Sequence, residues 1–229
     1  MISVIIPTLN AEATLGPTLT ALVPAAVTGL IGEVIVVDGG SSDHTADIVE
    51  HSGASLVKES LGRGQQLNTG AARARFPWLL FLHADTALAS GWEQEAATFM
   101  QRVDQEQLPL AAAAFRFALD DAGARPRLLE RLVALRCAAF ALPYGDQGLL
   151  MPKRLYQQIG GYRPLALMED VDLVRRLGRG RVVLLRTRAV TSAERFRREG
   201  YVRRSARNLL CLTLFALRVP IHVIGRIYG

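Results

Sequence analysis

The sequence predicts an α/β protein with a mostly parallel central sheet, helices on both faces, and a C-terminal helical extension. Three observations carry this prediction. Short apolar runs alternate with helical patterns through the first half of the 229 residues. The runs are nearly continuous in apolar character, as strands covered on both faces are. Several of them end in polar clusters, on the side where parallel sheets bind ligands.

Residues 2–6 read as the first strand, followed by a helical stretch over residues 13–22. Residues 33–37 form the second strand, and residues 43–51 a helix with Ser41 or Ser42 near its N-cap. A third strand (54–58), a third helix (64–75) and a fourth strand (78–82) follow. The second half is less regular. Residues 111–119 read as a strand, and residues 127–141 as a helix with Leu128, Leu129, Leu132 and Leu135 on its apolar stripe. Residues 148–151 are short and apolar, and a short helix at 155–159 stops at Gly160-Gly161. Residues 169–177 start acidic and end in Arg175-Arg176, the order a helix dipole favours.

The formal charge is +6, almost all of it arginine, since Lys58 and Lys153 are the only lysines. Residues 179–207 are rich in arginine, with only Glu194 and Glu199 opposing. Such a segment suits a polyanionic partner or makes a solvated basic face. Few aromatics interleave it, so no nucleic-acid partner is expected. Residues 209–217 are mostly apolar, but Arg218 and Pro220 interrupt them before the ~20 residues a membrane span needs. The expected organisation is a domain over 1–190 and a basic, partly apolar helical extension over 191–229. That extension would pack on the domain or touch an anionic membrane surface. The N-terminal MISVIIPTLN lacks the basic region of a secretory signal. Cys137 and Cys211 match no metal or redox spacing and read as buried thiols in a reducing compartment. The location expected is cytoplasmic, peripheral at the inner face of the membrane.

The chemistry narrows by exclusion. The first strand end, PTLNAEATL, lacks the dinucleotide glycine fingerprint, and neither a Walker loop nor a Gly-x-Ser-x-Gly elbow occurs. The glycines of Gly62-Arg63-Gly64 let backbone approach a ligand while Arg63 meets a phosphate; a turn before a helix explains them equally well. The clusters Pro7-Thr8-Leu9-Asn10, Asp38 to Asp43 and His83-Ala84-Asp85-Thr86 each read singly as capped loops. Together they converge on one crevice.

VIIPTLNAEATL, EVIVVDGGSSDHT, GRGQQLNTGAA, FLHADT and MEDVDL occur in the order of family 2 glycosyltransferases, and the chain resembles that family over about residues 2–177. FLHADT combined with YGDQGLLMPKR and the tail RFRREGYVRRSARNLL is similar to a bacterial subgroup labelled arsenosugar-biosynthesis transferases, a label that fixes no substrate. The resemblance implies the GT-A fold and inverting, metal-assisted transfer of a sugar from a nucleotide-diphosphate donor to an acceptor hydroxyl. It places the nucleoside at Pro7, Thr8, Asn10 and Glu12. Asp38 matches the aspartate that bonds the base, as a carboxylate can from a pyrimidine N–H, with Gly39 where a second acid is usual. Arg63, Gln66, Asn68 and Ala84 extend the nucleotide site.

Asp85 aligns with the metal aspartate of the DxD motif, holding Mn²⁺ or Mg²⁺ against the diphosphate. His83 replaces the first carboxylate. It reads as a direct ligand, as a contact behind the ligand or to the sugar, or as a plain strand-end histidine; imidazole suits Mn²⁺ better than Mg²⁺. Glu169-Asp170 match the acidic pair that supplies the general base, with Asp170 as the base, Glu169 as an acceptor contact and Asp172 as structural. Asp146 and Gln147 resemble the acceptor-side loop, or form a simple turn. Arg195, Arg197 and Arg198 would close over the diphosphate or face lipid phosphates. A nucleotidyltransferase would bring a glycine- and lysine-rich first strand end, which is absent. The alternative kept open is a catalytically silent nucleotide-sugar or lipid-headgroup binding protein.

Overall fold

The computed structural model describes residues 1–60 and 62–228. The first half runs β1 (Ile2–Thr8), α1 (Glu12–Thr20), α2 (Val23–Val27), β2 (Ile31–Asp38), α3 (Thr45–Ser52), β3 (Ser55–Lys58), α4 (Arg63–Arg73), β4 (Trp78–Phe81), β5 (Thr86–Leu88) and α5 (Trp92–Asp104). It continues through β6 (Ala112–Leu119), α6 (Ala124–Phe140), a 3₁₀ turn (Gly145–Gln147), β7 (Leu149–Pro152), α7 (Lys153–Gln158) and α8 (Glu169–Leu177). β8 (Val182–Thr191) and the helices α9 (Glu194–Glu199), α10 (Tyr201–Ala216) and α11 (Ile221–Tyr228) complete it.

All eight strands join one sheet in the order β3-β2-β1-β4-β7-β6-β8-β5. The pairs β3-β2, β2-β1, β1-β4 and β6-β8 are parallel, whereas β7 runs against both neighbours and β5 against β8. The period-two geometry of a strand explains the apolar runs. Ile2, Val4 and Ile6 of β1 enter a core shared with Leu80 and Trp92, while Ile5 enters a second core with Val37, Leu79 and Phe81 on the opposite face. A Cβ on Gly70 would stand 2.5 Å from Ile5 Cγ2, so glycine lets α4 lie close against β1.

Two local expectations fail for identifiable reasons. Neither Ser41 nor Ser42 caps α3; Asp43 Oδ1 instead accepts from Thr45 N–H and Oγ1, and the serines are engaged elsewhere. Of the leucine stripe of α6 only Leu129 packs against a core, the small one around Phe117 and Val133. Leu128, Leu132 and Leu135 are 58, 54 and 66% exposed, and the helix buries Pro126, Val133 and Cys137. Both cysteines are free and buried. Among the described residues, no helix is long and apolar enough to cross a membrane.

Candidate functional site

The strand ends open into a pocket of about 530 Å³, walled by the β1 end, the β4-β5 turn, the 3₁₀ turn, the first turn of α8 and the helices after β8. Thr8 and Asp38 are register partners at the ends of β1 and β2. Asp38 is buried and accepts four hydrogen bonds. Thr8 Oγ1 (3.0 Å) and Ser41 Oγ (2.5 Å) donate to Oδ1; the N–H groups of Gly40 (3.0 Å) and Ser41 (2.9 Å) donate to Oδ2. Burial alone would raise this carboxyl, but the donors from Ser41, Gly40 and Thr8 outweigh it and hold the group below its usual range. A carboxylate has about four acceptor positions, so protein donors already fill this one. Asp38 shapes the loop; a base N–H reaches it only by displacing one of them.

Asn10 and Glu12 knit neighbouring loops together. Asn10 adopts left-handed backbone (φ 51°), which asparagine tolerates better than most residues. Its Oδ1 accepts from Ser42 N–H at 2.9 Å, while Glu12 Oε2 accepts from His44 N–H at 2.9 Å. Pro7, Thr8 and Asn10 line the pocket and Glu12 does not. Gln66 lines the pocket too, but its Nε2 is committed to the carbonyls of Thr8 (2.9 Å) and Val37 (2.8 Å). Asn68 does not line it; its Oδ1 accepts from Tyr156 OH at 3.1 Å. Gly64 is packing glycine, since a Cβ there would run into Arg163 O rather than a ligand.

The ionic centre lies across the pocket. Arg63, at the start of α4, stands 3.5 Å from Glu169 Oε1, at the start of α8. Burial raises the Glu169 carboxyl to about 7, helped by the Asp170 charge and opposed by Arg63. Asp170 accepts from Gly145 N–H at 2.7 Å through Oδ2 and from Val171 N–H at 2.8 Å through Oδ1. Met168, just before the helix, is held in left-handed backbone (φ 62°). A non-glycine residue there costs on the order of 1–3 kcal/mol, strain that clusters at functional sites. Asp172 pairs with Arg163 (3.1 Å) and Arg176 (2.7 Å), a structural engagement.

His83, Ala84 and Asp85 line the pocket from the β4-β5 turn, where Ala84 O accepts from Thr18 Oγ1. Burial, with the Arg63 charge, pushes the His83 imidazole down to about 4 against the pull of Asp85 and Asp170, so the ring is neutral near pH 7. A Cβ on Gly145 would come within 2.5 Å of His83 Nε2; the ring packs directly beneath the 3₁₀ turn. On that turn Asp146 lines the pocket, its carboxyl raised to about 7 chiefly by burial, with Arg136 opposing and Asp170 and Asp85 adding. Gln147, expected on the acceptor side, is buried. Its Nε2 donates to Phe115 O (2.9 Å), and its Oε1 accepts from Arg136, Cys137 and Tyr144 N–H.

Sequence reasoning missed the contribution of the β8 end and most of the tail. Thr191, Ser192, Arg204, Asn208 and Tyr228 line the pocket together with Arg195. Arg197 does not; it pairs with Asp120 at 3.7 Å. Nothing local in the sequence marks Thr191 or Ser192, because their place depends on β8 pairing with β5 and β6. Among the described residues, no three His, Cys, Asp or Glu side chains form a ready-made metal cage.

Residues 3–107 match the family described as glycosyl transferase family 2. A PGL/p-HBAD biosynthesis glycosyltransferase from Mycobacterium bovis (strain BCG / Pasteur 1173P2) is 38% identical over 101 residues, covering 38% of this chain and 36% of that protein. The chain thus spans only 36% of the length of the curated relatives it matches. S. aureus TarS 1-349 in complex with UDP-GlcNAc superposes with a TM-score of 0.64 at 18% identity, covering 99% of this chain and 70% of that one. Glucosyl-3-phosphoglycerate synthase from Mycobacterium tuberculosis, in complex with Mn²⁺, UDP and glucosyl-3-phosphoglycerate, gives a TM-score of 0.53 at 22% identity, over 83% of this chain and 70% of that one. The protein has the GT-A fold of these structures, and the stretch that carries its β1, β2 and β4 strand ends matches glycosyl transferase family 2.

Proposed function

We propose that the protein is an inverting glycosyltransferase that moves a sugar from a nucleotide-diphosphate sugar to an acceptor hydroxyl. The observation that carries this reading is the single pocket joining the β1 end, Asp85 and the Glu169-Asp170 pair. Pro7, Thr8 and Asn10 offer a nucleoside platform. Arg63 and Arg195 face the same space and suit the two phosphates.

Asp170 is the general base. In the first turn of α8, its carboxylate is fixed by the N–H groups of Gly145 and Val171, with the acceptor side of the pocket in front of it. It takes the acceptor proton as the acceptor oxygen bonds to the anomeric carbon. The bond from that carbon to the diphosphate breaks, and its electron pair leaves on the phosphate oxygen. Glu169, buried beside Arg63, keeps that guanidinium aimed into the pocket.

The Asp85 carboxylate beside the pocket-lining arginines fits a hard divalent cation shared with substrate phosphates. Asp85 would hold Mn²⁺ or Mg²⁺, which supplies neutralisation of the leaving diphosphate.

A thermal-shift panel of nucleoside diphosphates and nucleotide sugars, with and without Mn²⁺, tests binding and names the base. Asp170→Asn is expected to lower donor turnover by roughly 10²–10⁴-fold with nucleotide binding unchanged. Retained turnover in that variant sinks the assignment. A wild type that binds nucleotide sugar and never consumes it favours the silent binder instead.

The exposed Leu209, Leu210 and Leu217 of the α10 segment, beside exposed Arg203 and Arg218, favour a peripheral site on anionic lipid at the inner face of the membrane. Co-sedimentation with anionic but not neutral vesicles checks this.

A further inference from the structure

The motif FLHADT leaves one carboxylate, Asp85, for a cation that GT-A chemistry would place against the diphosphate. Octahedral Mg²⁺-like ions are commonly held by one or two carboxylates plus substrate phosphates, not by an all-protein cage. A single carboxylate and an imidazole make a thin donor set for so hard an ion.

A second carboxylate is present on a different element. Among the described residues, Asp146 Oδ1 is shut off from solvent and finds no hydrogen-bond partner. Burying an unpartnered carboxylate oxygen is costly, and such groups are normally paired or bound to a metal. Arg136, on α6 beside this turn, directs Nε to Leu142 O (3.1 Å) and Nη2 to Gln147 Oε1 (3.3 Å) and lies across the Tyr144 ring.

The end of β8 fixes Asp146 and Asp85 relative to each other. Thr191 Oγ1 donates to Asp146 O at 3.2 Å and stands 2.6 Å from Thr86 Oγ1, on the residue after Asp85. The next residue, Ser192, donates its N–H to Asp85 O at 3.0 Å. Two consecutive residues of one strand end therefore pin both aspartate backbones at one pocket. Gln147 locks the far side of the turn to Phe115 O. His83 supports the turn from beneath, against Gly145.

We propose that Asp146 is the second carboxylate ligand of the cation held by Asp85, supplying from the 3₁₀ turn the oxygen donor that His83 no longer supplies from the β4-β5 turn. His83 becomes a positioning residue for that turn. This inference rests on the glycosyltransferase reading and names its metal site more fully.

The test is Mn²⁺ binding by the full chain, followed by electron paramagnetic resonance of free Mn²⁺, with Mn²⁺ alone and with UDP present. Asp146→Asn and Asp85→Asn are each expected to weaken Mn²⁺ binding about 10-fold or more, and His83→Gln by no more than about 3-fold. Thermal melts without metal establish that each variant folds. Asp146→Cys gives an independent readout: a thiolate ligand moves preference from Mn²⁺ towards Cd²⁺, with a thiolate-to-metal absorption band on Cd²⁺ addition.

Mn²⁺ affinity in Asp146→Asn within twofold of wild type overturns the proposal, above all if the KM for acceptor rises instead. No Cd²⁺ band in a folded Asp146→Cys counts against it equally. A wild type that binds no Mn²⁺ yet consumes donor in EDTA overturns it while leaving the transferase reading intact.

Discussion

The two halves of the pocket wall treat their polar groups in opposite ways. On the side built by β1 and β2, Asp38 fills its acceptor positions with protein donors, and Asn10, Glu12 and Asp43 close each other's loops. On the side built by the 3₁₀ turn and α8, charge is left short of partners. Among the described residues, Asp146 Oδ1 has no hydrogen bond, and Glu169 Oε1 meets only the Arg63 ion pair at 3.5 Å. Polar groups that satisfy one another make a rigid scaffold, whereas buried groups left short are held at a cost that a ligand can offset. The first wall is a frame, and the second is where chemistry is expected.

The largest expected effect breaks the second wall at its tightest point. Gly145 does not need glycine for its backbone, whose φ lies outside the left-handed region. It needs glycine because a Cβ would stand 2.5 Å from His83 Nε2 and 3.3 Å from Asp170 Oδ2. Gly145→Ala should cost about 1–3 kcal/mol of stability, as overpacking does. It should also lower donor turnover, since the N–H that orients Asp170 moves with the turn. His83→Ala in the same chain should restore part of both losses. Stability in urea and donor consumption, read for both singles and the double, settle the coupling; simple additivity would disconnect His83 from the turn.

An effect read on stability alone, without the loss of turnover, separates the two walls by the sign of their pH dependence. The folded Asp38 carboxyl lies below its unfolded value, so its contribution is full above the unfolded pKa and disappears as pH falls through the folded one. Asp38→Asn should cost about 1–3 kcal/mol near pH 7, and the gap to wild type should close in acid. Glu169 behaves in reverse. Its folded pKa is raised to about 7, so its contribution is full below the unfolded value and is lost as pH rises through about 7. Wild type should therefore lose ground to Glu169→Gln between about pH 4.3 and pH 7. Urea midpoints from pH 3 to pH 8 measure both; slopes of the same sign would erase the contrast.

The same contrast explains how much could be read from sequence. β1, β2 and β4 were legible because strands buried on both faces are continuous apolar runs, and α8 because its acids and arginines obey the dipole. Asp85 was legible as an acid at a strand end, and Glu169 and Asp170 as acids at a helix start, in an order that resembles a known family. Which polar residues turn inward was not legible. Asp38 depends on Thr8, thirty residues away, Asn68 on Tyr156, and Gln147 on Phe115. β8 escaped notice because arginines interrupt its apolar pattern, and β5 because it has three residues. With them went Thr191 and Ser192, the residues that bring Asp146 to Asp85.

The smallest expected effect concerns α6, where the apolar pattern misled. Leu128, Leu132 and Leu135 recur at helical spacing, yet all three are more than half exposed. The helix instead buries Val133 and Cys137, which join Phe117 and Leu119 of β6 in a small separate core. Leu132→Ser removes little buried surface, so its stability should stay within about 0.5 kcal/mol of wild type. Val133→Ala, one residue away and 9% exposed, deletes packed methyls and should cost clearly more. Urea unfolding of the two variants side by side checks the orientation. Leu132→Ser the more damaging of the two would mean that α6 is rotated, with its stripe towards the sheet. That rotation would also move Arg136 away from Tyr144 and Gln147, and with it one support of the turn that carries Asp146.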